Sequence, residues 1–177
     1  MEKTGFLLVF LFFVLSGNVF GQENGALKHF YGSSEAYAAG LGMNLNNSDF
    51  GIFGYDVSIG YAFDSGISLF CPVDLQVGMY NTKSTKNYNN QGTIGIGAGY
   101  MYNFKESYEM LEFRLSGAST MADRDINYFS TGFSIRYGIK VGHISPFTGV
   151  GVMYLSPYDS AVKDKAMLCV SFGVRIL

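Results

Sequence analysis

Residues Phe53 to Phe63 read Phe-Gly-Tyr-Asp-Val-Ser-Ile-Gly-Tyr-Ala-Phe, and their two-residue beat decides the fold. The odd positions hold Phe53, Tyr55, Val57, Ile59, Tyr61 and Phe63. The even positions hold Gly54, Asp56, Ser58, Gly60 and Ala62. Successive residues of a strand face opposite sides of its sheet, so this stretch has one bulky apolar face and one small, polar face.

Segments of the same kind recur along the chain. Their bulky registers run Tyr37–Leu45 (Tyr37, Ala39, Leu41, Met43, Leu45), Phe53–Phe63, Ile67–Met79, Ile94–Phe104, Leu111–Leu115, Phe129–Ile139, Ile144–Tyr154 and Ala166–Ile176. Most exceed a typical soluble strand and have the length that crosses a bilayer at a tilt of about 45°. Alternation alone fits either a soluble barrel with bulky residues inside or a membrane barrel with them outside. Volume decides between them, because an eight-stranded barrel has an interior only just wide enough to be filled by side chains. Five or six large residues from every strand would overfill it. The other register is Gly, Ser and Ala with Asp56, Asp74, Glu112, Arg114, Arg136, Lys140 and Arg175 spread through it. Those seven residues are therefore expected to form a packed, charge-paired lumen, since buried charges persist only when paired. The bulky register carries almost no charge, only Glu35 and Glu109 at segment ends. The expected fold is an all-β, eight-stranded, antiparallel up-and-down transmembrane barrel, with a secreted soluble barrel of lipocalin type as the alternative.

Residues Met1–Gly21 have the make-up of a secretory signal: Lys3, an unbroken apolar run from Phe6 to Leu15, then Val19 and Gly21 before Gln22. The run is too short for a membrane-spanning helix of about 20 residues. The expected division is a signal peptide over 1–21, a periplasmic N-terminal lead over 22–33 and an outer-membrane barrel over 34–177. The net charge of −2 gives no basic block for nucleic acid. Cys71 and Cys169 fall on opposite faces of non-neighbouring segments, so no disulfide is expected, and neither has metal-ligand spacing around it.

The connections alternate in length. Asp64–Gly66, Lys105–Tyr108 and Val141–His143 are short, whereas Asn81–Gln91, Thr120–Asn127 and Ser156–Lys165 are longer and polar; only Asn46–Phe50 breaks the pattern. Short periplasmic turns and longer external loops belong to outer-membrane barrels, and an even strand count leaves both termini periplasmic. Tyr61, Phe63, Tyr102 and Phe104 gather at the inner end, and Phe53, Phe129 and Tyr154 at the outer end, as two aromatic girdles built without Trp. Pro72 lies mid-segment and cannot donate a ladder hydrogen bond, so local distortion is expected there.

With signal, eight alternating segments and asymmetric connections, and with a final strand Ser171-Phe172-Gly173-Val174-Arg175-Ile176-Leu177, the chain resembles the small eight-stranded outer-membrane β-barrel proteins of the OmpA/OmpX type. The resemblance implies a monomer in outer-membrane lipids. The expected role is non-enzymatic, structural or surface-binding, with a surface ligand or protein met through the external loops and no cofactor. A narrow porin-like channel and a lipid A-modifying enzyme are the alternatives. His143-Ile144-Ser145 has the His-x-Ser spacing of outer-membrane lipid A deacylases, which need a serine nucleophile beside its base. Here the serine is followed by Pro146, and the pair falls at an expected periplasmic turn, away from the outer leaflet. Gly95, Gly97 and Gly99 alternate within a strand and precede no helix, so they are not a phosphate loop.

Overall fold

The computed structural model describes residues 29–40, 50–82, 85–104, 108–121, 127–158 and 164–176. Eight strands follow in chain order: β1 Phe30–Ala39, β2 Phe50–Ala62, β3 Ile67–Thr82, β4 Thr85–Asn103, β5 Glu109–Thr120, β6 Tyr128–Ile139, β7 Ile144–Pro157 and β8 Lys165–Ile176. Each pairs antiparallel with the next, and β1 closes the ring on β8 through Gly32↔Ile176 to Ala39↔Cys169. Closure leaves the sheet without edges, which is what lets strands span lipid.

The outside of the ring is apolar. Leu69, Leu75, Ile96, Leu115, Val150, Leu168, Val170 and Phe172 are all exposed. Leaving such a belt to water would cost about 25 cal/mol for every Å² of apolar surface, whereas lipid solvates it. The fold is a transmembrane barrel, bulky side out. At one end Phe30, Tyr61 and Phe63 meet edge to face at 5.1 and 5.0 Å, and Tyr102 meets Phe104 at 5.1 Å. At the other end Phe53, Phe129 and Tyr154 point outward. Hydroxyls bound to carboxylates stand near both limits of the belt: Tyr137 donates to Glu109 at 2.6 Å, and Tyr154 to Asp164 at 2.5 Å.

The two ends differ in their connections. At the turn end, where β1 begins and β8 finishes, Gly66 and Gly142 take φ values of 85° and 64°. Side chains other than glycine rarely adopt these values. Gly66 also lies so close to Met101 that an added Cβ would sit 2.6 Å from its carbonyl oxygen.

At the loop end one expectation changes. Asn81–Gln91 is not a polar loop but the top of a long hairpin, paired through Asn81↔Lys86 and Thr82↔Thr85. Alternation of small polar residues hides strand character when there is no apolar face to mark it. The ladder from β4 to β5 stops at Thr93↔Thr120, and that from β2 to β3 at Phe50↔Tyr80, so the hairpin stands proud of the ring.

Two further expectations are corrected, and the local distortion expected at Pro72 is found. β1 begins at Phe30, ahead of Ser34, and its register is inverted: Tyr31, Tyr37 and Ala39 are buried in the lumen and Phe30 faces out. Leu41, Met43 and Leu45 lie outside the described residues. The physical reason is space, because Tyr37 lies over Gly54 and Tyr31 over Gly60, the two inward glycines of β2. Lys140 is exposed past the end of β6, where its backbone N–H donates to Tyr108, and is not a lumen residue. Pro72 keeps its pairing with Ser58 on β2, while the ladder to β4 opens between Phe70↔Gly97 and Val73↔Ile94. The gap accommodates its missing N–H without a change of register.

Candidate functional site

The lumen has three layers, each set by the inward parity of the strands. In the turn-end layer Glu112 of β5 and Arg136 of β6 are cross-strand partners, and their side chains approach to 3.7 Å. Arg175 of β8 binds the other oxygen of Glu112, and Arg136 binds Glu35 of β1. Arg136, Arg175 and Glu112 are almost completely buried. Aromatic rings pack against the guanidiniums: Arg136 lies 4.6 Å from the Phe147 ring centroid and Arg175 lies 4.2 Å from that of Tyr31. A desolvated cation over a ring gains about 2 kcal/mol, so each arginine is held by both charge and packing.

The middle layer holds Asp56, Asp74 and Arg114. Arg114 stacks 3.6 Å from the Phe70 ring centroid, and Phe70 in turn fills the space over Gly97. Arg114 donates to Ser58 Oγ at 3.2 Å, and Ser58 donates to Asp56 at 2.5 Å, so the hydroxyl carries the guanidinium's influence to the carboxylate. Asp74 faces Asp56 directly across the β2–β3 ladder and accepts from Thr93 at 2.9 Å. A cavity of about 90 Å³ opens here, bounded by Glu35, Asp56, Asp74, Arg114 and Arg136, with Tyr37 and Gln76 above.

The loop-end layer is apolar and hydrogen-bonded. Tyr37, Ala39, Ile52, Tyr128, Leu155 and Met167 form one buried cluster. Tyr128 donates to Gln76, whose amide in turn reaches Thr93 at 3.5 Å.

Of the seven residues expected inside, the structure places Asp56, Asp74, Glu112, Arg114, Arg136 and Arg175 in the lumen. It joins Glu112 to Arg136 and Arg175, sends Arg114 to Ser58 instead, and leaves Lys140 outside. Sequence reasoning missed Glu35, Tyr31, Tyr37, Phe70 and Phe147. Glu35 carried the available signal: a carboxylate sharing the parity of Tyr37 argues that this parity faces the lumen. The inward glycines, expected to make room for long charged chains, also receive aromatic rings. His143 is exposed at the β6–β7 turn and Ser145 is fully buried within the ring, so the structure does not bring them together as nucleophile and base. Cys71 and Cys169 are free thiols, one exposed and one facing the lumen.

No family model and no curated protein sequence matches the chain. Several solved structures are similar to it. Neisserial surface protein A is 19% identical, with 83% of this chain and 96% of that one covered and a TM-score of 0.48. The N-terminal β-barrel domain of Pseudomonas aeruginosa OprF is 12% identical, with 82% and 96% covered and a TM-score of 0.41. The Yersinia pestis outer membrane protein Ail is 12% identical, with 84% and 99% covered and a TM-score of 0.42.

Proposed function

We propose that this chain is exported with a cleaved signal peptide over 1–21 and serves as a non-enzymatic, non-conducting outer-membrane barrel that acts through its external face. The observation that carries this reading is the filled lumen. The Glu35–Arg136–Glu112–Arg175 layer crosses the ring from β1 through β6 and β5 to β8. The apolar cluster around Ile52 and Met167 stops the other end. Eight strands leave little room besides. What then distinguishes the molecule to its surroundings is the β3–β4 hairpin, raised beyond the ring at the end opposite the start of β1 and the finish of β8, with Tyr88 exposed on it. Loops and hairpins carried on a rigid scaffold are where binding is usually placed. The apolar belt supports residence in lipid as a monomer, and the short turns support a periplasmic turn end.

Two measurements test the reading. Purified protein in planar bilayers should give no steady conductance; a stable open level would make it a channel. A variant with Gly78–Asn89 replaced by a two-residue turn, which keeps Val77↔Asn90 as the last pair, should insert normally but lose the surface partners captured by the wild type. An unchanged set of partners removes the hairpin from the proposal. Release of fatty acid from lipid A, lost in Ser145→Ala, would overturn the non-enzymatic reading.

A further inference from the structure

The β3–β4 hairpin differs in charge from the other loop-end connections. Between Asn81 and Gln91 lie Lys83 and Lys86, and no acid occurs anywhere from Leu75 to Lys105. Thr120–Asn127 holds Asp123, Arg124 and Asp125, Ser156–Lys165 holds two aspartates and two lysines, and the connection before Phe50 carries Asp49. The loop-end segment with net positive charge is thus also the one that rises beyond the ring. Its register says which way it faces. Tyr88 shares the parity of Ile94 and Ile96, the lipid-facing residues of β4, and all three are exposed. The ladders that start from the girdle residues Phe53 and Phe129 reach β4 at Asn90 and Ile94, so the girdle crosses this strand between them. Tyr88 stands two residues beyond Asn90 and six beyond Ile94. At about 3.4 Å per residue and a tilt of about 45°, that is roughly 5–14 Å past the girdle, out of the hydrocarbon and into the head groups.

We propose that the outward face of this hairpin, taken as the contact region proposed above, docks the phosphorylated sugar head group of an outer-leaflet lipid. Three observations favour a lipid over a soluble protein. First, β4 is one unbroken strand from Thr85 to Asn103, so its lipid-facing register continues from Ile96 up to Tyr88. The exposed ring is therefore presented sideways to neighbouring lipids, at the depth where tyrosine is favoured in membrane proteins. Second, Lys83 and Lys86 have no acid beside them in sequence to neutralise them, and they complement a phosphate. Each lysine at an anionic lipid surface is worth about a fivefold gain in affinity. Third, Asn90 is exposed on the same face between Tyr88 and the girdle, and its amide can both donate to and accept from sugar hydroxyls. Composition alone would suit many partners; the register, which turns this face toward the bilayer, selects the lipid.

The test counts the lipids retained by the purified barrel, by native mass spectrometry, after equilibration in detergent micelles with equal amounts of lipid A and phosphatidylcholine. The wild type should retain lipid A in preference, and added salt should erode that preference by screening the exposed charges. Lys83→Gln with Lys86→Gln should lower the preference roughly 25-fold, and Tyr88→Ala should lower it by a smaller factor. An unchanged preference in the lysine variant overturns the proposal. So does binding of deacylated lipid A that matches binding of the whole lipid, since the occupant would then be a soluble anion. Replacing the hairpin separates this proposal from the broader reading. Protein partners lost while the lipid A preference persists leave the hairpin as a binding element and sink the lipid as its occupant. Should the lysine variant fail to fold, salt decides on the wild type. A preference for lipid A abolished by salt supports the site, and one that salt leaves unchanged overturns it.

Discussion

The two ends of the lumen solve one problem by opposite means. At the turn end, Glu35, Glu112, Arg136 and Arg175 fill the ring with charge, joined in one chain of ion pairs. At the loop end, Ile52, Leu155, Met167, Tyr37 and Tyr128 fill it with hydrocarbon and hydroxyls. The difference teaches how each end should fail. A charged layer is unforgiving, because removing one partner leaves the other buried and bare. An apolar layer loses only the contacts of the atoms removed, plus whatever cavity does not collapse.

The largest effect should therefore come from Arg136→Ala, which strips a partner from both Glu35 and Glu112. A loss of about 3–5 kcal/mol is expected in urea unfolding monitored in detergent. Ile52→Ala, in the opposite layer, should cost about 2–3 kcal/mol in the same assay. The double variant should then be additive within about 0.5 kcal/mol, because the two sites share no partner. A larger coupling would break the comparison by showing that the layers form one unit. Gly54→Val should cost about 1–3 kcal/mol by driving a side chain into the ring of Tyr37. Gly54→Val combined with Tyr37→Ala should recover part of that loss. The smallest effect belongs to Lys140→Ala, which should leave the unfolding midpoint unchanged. A drop comparable to Arg136→Ala would return Lys140 to the charged layer.

Much of this was legible beforehand, and the failures have a common cause. From β2 to β8 most bulky residues face out, because lipid accepts any volume while the lumen accepts only what its glycines and small residues leave room for. Phe53, Ile96 and Phe172 follow that rule, as do the inward Glu112, Arg136 and Arg175. On β1 the rule inverts, because Gly54 and Gly60 on the neighbouring strand leave sockets just where Tyr37 and Tyr31 arrive. Volume in the lumen is a property of pairs of strands, and parity within one strand does not report it. Phe70 over Gly97 repeats the same lesson on β3 and β4. Lys140 had the correct parity but lay beyond the last residue of β6, and strand ends are set by turn geometry that alternation does not encode. The β3–β4 hairpin was missed because Asn87, Asn89, Asn90 and Gln91 give neither face an apolar mark. The identity of what meets that hairpin was never written in composition, since polar side chains on an exposed ribbon fit many partners.

The inverted register of β1 has a consequence for how the molecule is put together. This strand contributes Tyr31 and Tyr37 to the sockets on β2 and Glu35 to Arg136, while its ladder to β8 completes the ring. A barrel without β1 would be both open along one side and hollow along the middle. Sealing the wall and stopping the bore are thus a single act, performed by one ten-residue stave that is also the cork.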